Sequence, residues 1–245
     1  MKHQVTPYGL KDKSKKEQVE QMFDNIAPRY DFLNHLLSLG IDKKWRKKAV
    51  DYINEIKPAT VLDVATGTGD FALEVVRTGA STIIGYDLSE NMLAYGRQKV
   101  SRAGLSNVIR FIKGDSENMP FPDNNFDAVT VGFGVRNFEY LERGLAEIFR
   151  VLRPGGRLAI LEVSLPRNPL IRMFYNLYFS YVLPLIGRIF SRDVRAYTYL
   201  PESVKAFPQG VAFVQILQAA GFVHVKWEPL TFGTCALYTA EKPKT

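Results

Sequence analysis

The sequence predicts an α/β fold built on a mainly parallel sheet. Between residues 58 and 163, short apolar runs alternate with helical patterns, which is typical of parallel strands joined by right-handed crossovers. A glycine-rich turn follows the first of these runs, and a further helix and two strands close the chain. The chain has 245 residues, 46% of them hydrophobic, so it is long enough to bury the core of one such domain.

The first strand and its turn organise the rest of the chain. An apolar run without helical spacing is formed by Val61, Leu62, Val64 and Ala65, as expected of a strand buried on both faces. Gly67 and Gly69 follow, and they let the backbone approach a ligand because they carry no Cβ atom. A helix over residues 70–77 would begin there, at the edge of the sheet where open α/β folds bind ligands.

The acids around this turn indicate the kind of ligand. The turn and Ala72 satisfy the dinucleotide pattern G-x-G-x-x-G/A, and Asp87 lies about 20 residues further on. Asp63 and Asp70 flank the turn, however, and their charges would repel a pyrophosphate. S-adenosylmethionine has positive groups and a ribose, so it suits the turn better, with Asp87 on the ribose hydroxyls. The alternative for Asp70 is that it only caps its helix, where an acidic residue is favoured, and has no part in choosing the ligand.

The remaining elements follow in order. The pattern predicts helices over residues 16–26, 30–39, 42–56, 89–103, 141–152 and 211–220, and strands over residues 82–86, 108–112, 126–131, 157–163, 222–227 and 234–240. Asp42 and Ser89 are the expected N-caps, and Pro154-Gly155-Gly156 is expected to be a tight turn before the fifth strand.

We therefore predict one domain with four parts. Residues 1–57 are a flexible basic arm of about 16 residues and a helical cap, residues 58–163 the ligand-binding core, residues 164–208 an apolar and aromatic insertion, and residues 209–245 the terminal helix and strand pair.

The apolar segment at residues 169–190 interrupts the alternation. Its uncharged run between Arg172 and Arg188 is shorter than the roughly 20 residues that span a bilayer. Three interpretations are open: a buried helix, the wall or lid of an apolar pocket, and a helix lying at a membrane interface. In the third, the flanking arginines would contact anionic lipid; they are Arg167, Arg172, Arg188, Arg192 and Arg195.

Charge and composition narrow the partners. The net charge of +7 favours an anionic partner, either nucleic acid or a membrane surface. One cysteine, Cys235, and three scattered histidines predict neither a disulfide framework nor a metal site. The polar, lysine-rich N-terminus lacks the apolar core of a signal peptide, so we expect a cytoplasmic protein.

The order of these motifs resembles the class I S-adenosylmethionine-dependent methyltransferases. The resemblance rests on the glycine turn, Asp87 after the second strand, residues 114–116 after the third, and residues 152–156 before the fifth. It implies a Rossmann-like sheet of seven strands, mostly parallel with an antiparallel strand near the C-terminus, and helices on both faces. It also implies cofactor contacts for S-adenosylmethionine: Gly67, Thr68 and Gly69 at the methionine end, Asp87 at the ribose, Asp115 and Ser116 at the adenine, and Met92 on the adenine face.

Over about residues 18–242 the chain resembles the menaquinone/ubiquinone C-methyltransferase family more closely. The family pattern Y-D-x-M-N-x-x-[apolar]-S-x-x-x-H-x-x-W is matched from Tyr30 to Trp45, with Leu33 in place of the methionine and Asp42 in place of the histidine. The family pattern R-V-x-K-P-G-G is matched from Arg150, with Arg153 in place of the lysine. Further matches are E-x-S at Glu162, residues 132–137, and residues 197–208.

This resemblance implies methyl transfer from S-adenosylmethionine to a ring carbon of demethylmenaquinol, giving menaquinol in menaquinone biosynthesis. A benzoquinol of ubiquinone biosynthesis is the alternative substrate. Because the isoprenoid tail of either substrate lives in a membrane, contact with the inner face of the cell membrane is expected, and a homodimer is left open.

Arg136 is the predicted catalytic residue. It follows the fourth strand, and its charge would lower the pKa of the phenol and favour the oxyanion that activates the ring carbon. A structural hydrogen bond to a loop carbonyl is the alternative for Arg136. Candidates for the substrate pocket or proton path are Tyr30, Asp31, Asn34, Tyr197 and Tyr199.

Three other functions are disfavoured. Enzymes that methylate nucleobase nitrogens place Asn/Asp-Pro-Pro-Tyr/Phe after the fourth strand, where this chain has residues 132–136, so no nucleic-acid partner is predicted. A nicotinamide-dependent oxidoreductase would bind NAD more tightly than S-adenosylmethionine. A non-catalytic protein would use the same fold only to bind its ligand.

Overall fold

The computed structural model describes residues 4–38, 40–178, 181, 193 and 195–244. These residues contain seven strands: β1 (Thr60–Val64), β2 (Thr82–Asp87), β3 (Ile109–Lys113), β4 (Phe126–Gly132), β5 (Leu152–Val163), β6 (Val223–Leu230) and β7 (Cys235–Glu241). The helices are α1 (Lys15–Ile26), α2 (Tyr30–Ser38), α3 (Asp42–Asn54), α4 (Asp70–Val75), α5 (Glu90–Arg102), α6 (Leu141–Val151), α7 (Pro169–Leu177), α8 (Arg195–Ala206) and α9 (Val211–Ala219).

The strands form one sheet in the order β3-β2-β1-β4-β5-β7-β6. The first five are parallel, and β7 is antiparallel to both of its neighbours, which confirms the predicted fold class. Since β1 pairs with both β2 and β4, the order of the strands reverses beside β1. Such a reversal leaves a crevice at the carboxyl ends of the strands, where ligands bind in open α/β sheets.

Helices pack on both faces of the sheet. On one face, Ile148 of α6 and Phe213 of α9 belong to a buried apolar cluster with β4 and β5. On the other face, Ile53 of α3 and Phe71 of α4 belong to a second cluster. A smaller third cluster joins α1 to α8, so these two helices pack on each other apart from the two sheet faces.

The predicted tight turn at residues 154–156 is wrong, because this segment is part of β5. The Gly155 N–H donates to the Lys242 carbonyl, and the Lys242 N–H donates to the Gly156 carbonyl. These bonds to the C-terminal segment extend the strand, and the glycines form an irregularity in its register with β4.

The flexible arm predicted at the N-terminus is also wrong for residues 4–14. The buried Gln18 side chain accepts from the Tyr8 N–H at 3.1 Å and donates to the carbonyls of Leu10 and Lys13 at 2.9 Å. Ser14 caps α1 and forms a capping box with Glu17. One long amide side chain therefore ties the arm to the helix that follows it.

Two predicted N-caps have different outcomes. Ser89 caps α5 and accepts from the Met92 N–H, as predicted. Asp42 is instead the first residue of α3, after Ile41 at the N-cap position. The Asp42 carboxylate accepts from Ser38 Oγ at 2.6 Å and from an Arg46 guanidinium nitrogen at 2.5 Å. It therefore does not cap the helix as predicted.

Candidate active site

A pocket of about 700 Å³ opens at the glycine turn, and we call it the turn pocket. The turn leaves β1 through Ala65, and Gly67 has a φ of 57°, a value that favours glycine. Five of the seven residues predicted to contact a cofactor line the pocket together: Gly67, Asp87, Met92, Asp115 and Ser116. Thr68 and Gly69 are not among its described lining residues.

Asp87 is fixed at the end of β2 by two backbone donors. Its Oδ2 accepts from the Gly67 N–H at 2.8 Å, and its Oδ1 accepts from the Ser89 N–H at 2.9 Å. Burial raises the pKa of Asp87 to about 6, although these hydrogen bonds act in the opposite direction. The carboxylate is therefore ionised at neutral pH, and its remaining lone pairs can accept further hydrogen bonds.

The acids that flank the turn do not face the turn pocket. Asp63 is buried and accepts from the hydroxyls of Thr66 and Thr130. Burial raises the pKa of Asp63 to about 7. Asp70 pairs with Lys99, so its charge is neutralised within the protein. The predicted role of both charges in excluding a pyrophosphate is wrong for this reason.

Thr68 also points toward Lys99. Its hydroxyl donates to Asp31 of α2, and the Lys99 ammonium lies 2.7 Å from the same carboxyl group. Asp31 thus ties the N-terminal helices to the glycine turn and is not among the described residues that line either cavity.

Helix α1 covers the turn pocket. Lys16, Val19, Glu20 and Phe23 of this helix line it. Lys16 Nζ lies 2.6 Å from the carboxylate of Asp115, which belongs to the opposite wall. Helix α1 therefore lies over the pocket as a lid, and the Lys16–Asp115 ion pair joins it to the opposite wall.

A second, larger space of about 1770 Å³ adjoins the turn pocket, and we call it the aromatic cavity. Phe23, Tyr30 and Phe133 line both spaces. The other aromatic lining residues are Trp45, Phe174, Tyr175, Tyr178, Tyr197 and Tyr199. A ligand in the turn pocket and a ligand in the aromatic cavity would therefore lie next to each other, beside these three shared residues.

Arg136 lies in the wall of the aromatic cavity, in the 3₁₀ turn after β4. One guanidinium nitrogen lies 2.7 Å from Glu162 of β5, and the side chains of this pair are 9% and 1% exposed. The same nitrogen donates to the Phe133 carbonyl, so the structural role considered for Arg136 is present. Burial is the largest single effect and lowers the pKa of Arg136, but the interactions with Glu162, Tyr199 and Tyr30 together outweigh it, so the pKa is raised.

The Nε–H of Arg136 is buried and donates to no acceptor among the described residues. A buried donor of this kind costs free energy unless a ligand satisfies it. The guanidinium thus has an N–H group at the cavity wall that a ligand could accept from.

Four other predicted residues also line the aromatic cavity: Tyr30, Asn34, Tyr197 and Tyr199. The Tyr199 hydroxyl donates to Asn137 Oδ1 at 3.1 Å. Burial raises the pKa of Tyr199 to about 12 and also raises that of Tyr30. Both phenols are protonated at neutral pH and act as donors there.

Helix α7 is apolar on two faces. Ile171, Phe174 and Tyr175 line the aromatic cavity. Leu170, Met173 and Leu177 are 61%, 49% and 48% exposed. None of the described residues of α7 is buried, so the buried-helix interpretation is wrong for residues 169–177.

The flanking arginines separate into three groups. Arg172 and Arg195 are exposed, whereas Arg167 stacks on Trp227 at 4.3 Å. Arg188 and Arg192 lie outside the described residues. Among the described residues, no helix is long and apolar enough to cross a membrane.

Sequence reasoning missed the pairing partners in this site. Glu162 lies near the end of β5, which pairs with β4, and the observed strand order brings it near Arg136. The sequence gives no signal for the contacts of Lys15, Lys16 and Lys99, because each lysine lies in a stretch whose composition is that of an ordinary solvated helix face.

Comparisons with known proteins agree on one family. A model of the ubiE/COQ5 methyltransferase family matches residues 11–242. A demethylmenaquinone methyltransferase of Bacteroides fragilis is 49% identical, with 97% of each chain covered. A ubiquinone/menaquinone biosynthesis C-methyltransferase of Geobacter sulfurreducens is 46% identical, over 97% of this chain and 93% of that protein.

Solved structures share the fold. A chain in the complex of the Haloferax volcanii Trm112 methyltransferase activator with a putative methyltransferase has a TM-score of 0.66 and 18% identity, over 90% of this chain and 97% of that one. At this identity the likeness concerns the fold alone.

Removal of the Glu162 charge should destabilise the protein strongly. In Glu162→Gln, the buried guanidinium of Arg136 loses its ionic partner, and we expect unfolding to become easier by about 3–5 kcal/mol. Glu228→Gln is the matched control, because Glu228 pairs with Lys48 through side chains that are 50% and 49% exposed. That variant should change stability by about 1 kcal/mol at most. Urea unfolding measures both, and equal midpoints would contradict the argument.

Proposed function

Because the chain belongs to the ubiE/COQ5 methyltransferase family, we propose that it transfers a methyl group from S-adenosylmethionine to a ring carbon of demethylmenaquinol, giving menaquinol in menaquinone biosynthesis. The observation that carries the proposal is the shared wall between the turn pocket and the aromatic cavity, with Arg136 beside it. Methylation of a benzoquinol in ubiquinone biosynthesis is the second candidate, since the Geobacter relative is named for both quinones.

The lining of the turn pocket fits S-adenosylmethionine. Asp87 supplies negative charge for a cationic ligand, Asp87 and Asp115 supply acceptors, and Met92 and Phe138 supply apolar surface for a base. Lys16 is the one lysine or arginine among the described lining residues, and it is paired with Asp115. The pocket therefore lacks the free cations that a pyrophosphate would need.

We assign the cofactor contacts accordingly. Gly67 would face the methionine end, Asp87 the ribose, Asp115 and Ser116 the adenine edge, and Met92 the adenine face. Thr68 and Gly69 would act through the shape of the turn. A Cβ atom on Gly69 would lie 2.6 Å from the Phe111 ring, which supports that assignment.

The chemistry requires an oxyanion beside the reacting carbon. S-adenosylmethionine supplies an electrophilic methyl group, and the ring carbon becomes nucleophilic when the neighbouring hydroxyl loses its proton. The fixed charge of Arg136 lowers the pKa of that hydroxyl, and its unused Nε–H is a donor for the oxygen. Arginine holds its own proton too firmly to serve as the base.

The protonated phenol of Tyr30 adds a donor for the ring oxygens, whereas the Tyr199 hydroxyl already donates to Asn137. Helices α1 and α2 close this region from solvent, which protects the quinol and strengthens electrostatic effects at the site. The apolar lining toward α7 offers a path for the isoprenoid tail.

A peripheral contact with a membrane follows from the chemistry of the substrate. The exposed face of α7 offers Leu170, Met173 and Leu177, with Arg172 on the same helix. An apolar face beside cations suits an anionic membrane surface. The opposite face of α7 lines the aromatic cavity, so the tail would pass from the lipid into the site along one helix.

Methyl transfer to the quinol is the direct test. Labelled S-adenosylmethionine should transfer its methyl group to reduced demethylmenaquinol, and Arg136→Ala should lower kcat by about 10²–10³-fold because the oxyanion loses its fixed charge. Arg102→Ala, at the exposed end of α5, should behave as the wild type. Transfer to the benzoquinol analogue instead would favour the second candidate, and transfer to neither quinol would contradict the proposal.

Cofactor affinity should fall in acid. Since burial raises the pKa of Asp87 to about 6, this acceptor is lost as the pH falls through that value. We expect the Kd for S-adenosylmethionine to rise about tenfold between pH 7 and pH 5. Asp87→Asn should bind weakly with little pH dependence. Calorimetry measures both, and an unchanged pH slope in Asp87→Asn would assign the titration to another group.

Charge on the outer face of α7 should weaken membrane binding. Leu170→Asp and Leu177→Asp should each weaken binding to anionic vesicles about tenfold, because each removes one leucine from the buried area. Val211→Asp is the control, because Val211 is 57% exposed on α9. Co-sedimentation measures binding, and activity on a short-tailed soluble quinol should stay unchanged. Equal loss in all three variants, or no binding by the wild type, would contradict the proposal.

A further inference from the structure

Lys15, the first residue of α1, is buried in an unusual setting. Only 8% of the residue is exposed. Its ammonium donates to the Arg136 carbonyl at 2.9 Å and to the Phe138 carbonyl at 2.8 Å. Both carbonyls belong to the short segment that carries Arg136. A lysine at this site therefore holds the catalytic candidate by its backbone.

The electrostatic surroundings make this burial costly. Burial, together with the nearby charge of Arg136, lowers the pKa of Lys15 to about 8. Glu117 and Glu139, from the loop after β3 and the segment after the 3₁₀ turn, act in the opposite direction. An apolar residue would avoid the cost of desolvating a charge next to another cation. The two hydrogen bonds to carbonyls and the two glutamates partly offset this cost.

Lys15 and Lys16 attach the start of α1 to two different segments of the chain. Lys16 lines the turn pocket and pairs with Asp115 on its far wall. Lys15 is not among the described lining residues of either cavity, and its ammonium binds the segment between them, in which Arg136 lines the aromatic cavity and Phe138 lines the turn pocket. Of these two lysines, Lys15 is therefore the one that contacts the backbone of the segment that carries Arg136.

We infer that Lys15 is a positioning residue, which ties closure of α1 over the turn pocket to the placement of Arg136. This inference rests on the proposed role of Arg136. When α1 is closed, one ammonium binds two carbonyls of the arginine segment and fixes its backbone. When α1 lifts to admit the cofactor, both bonds break and the arginine segment is released. The active arrangement of Arg136 would then form only over an enclosed cofactor.

The charge of Lys15 should matter as well as its length. A charged donor makes stronger hydrogen bonds than a neutral amine, so the protonated form holds the segment best. Because the pKa of Lys15 is lowered to about 8, the wild-type kcat should fall as the pH rises through that value. The charged groups that face Lys15 are Arg136, Glu117 and Glu139, and none of them loses its charge near pH 8 at its usual pKa.

The test compares two neighbouring variants in the methyl-transfer assay. Lys15→Met should lower kcat about tenfold or more, leave the KM for S-adenosylmethionine within about twofold, and lose the alkaline fall in kcat. Lys16→Met should raise that KM and keep both kcat and the alkaline fall. Lys15→Gln, which keeps one donor, serves if Lys15→Met does not fold, and its kcat should be intermediate and insensitive to pH near 8.

The outcomes separate this inference from the proposed function. If Lys15→Met keeps the wild-type kcat and its alkaline fall, the inference is overturned while the function stands. If Lys15→Met only raises the cofactor KM, as expected of Lys16→Met, Lys15 merely anchors α1 and the inference is again overturned. If Arg136→Ala is fully active, the catalytic role of Arg136 fails instead.

Discussion

The buried ion pair between Arg136 and Glu162 is the constraint on which the site depends. Arg136 lies in the turn after β4, and Glu162 lies in the adjacent parallel strand β5. The two come together because Gly132 at the end of β4 is paired with Leu161 of β5. Each charge is desolvated, so neither is tolerated without the other. Such a pair contributes little net stability compared with apolar residues of similar size, but it fixes a cation in one place. The reaction proposed here needs a positive charge that does not move, and the carboxyl ends of two paired interior strands are a rigid support for it.

Helices α1 and α2 contact the site through charged side chains, whereas α3 packs in the apolar core. The Lys16–Asp115 and Asp31–Lys99 pairs are partly exposed, and the apolar cluster of α1 includes α8 rather than the helices that pack on the sheet. Ionic contacts near a surface are individually weak and exchange readily with water. In the coupling inferred for Lys15, α1 would open for the cofactor without disturbing the core, and the buried hydrogen bonds of Lys15 to the arginine segment would form again when it closes.

Period and spacing predicted the sheet but not the orientation of its side chains. The strand pattern and glycine turn were sufficient for the fold class, because buried strands need apolar residues and a tight turn needs glycine. The same pattern could not show that Asp63 bonds to Thr130 or that Asp70 turns toward Lys99, since those contacts depend on how distant elements pack. It also misread residues 154–156, where pairing with Lys242 overrides a turn-forming sequence.

Helix α7 shows why composition alone left its role open. A helix that is apolar on all sides normally lies in a core, and the sequence fits that interpretation. Here Ile171 and Tyr175 face the aromatic cavity on one side, while Leu170, Met173 and Leu177 are exposed on the other. Exposed apolar patches of this kind mark interaction surfaces. The proposed membrane contact would cover this face, and the opposite face would give the isoprenoid tail of the proposed substrate an apolar exit.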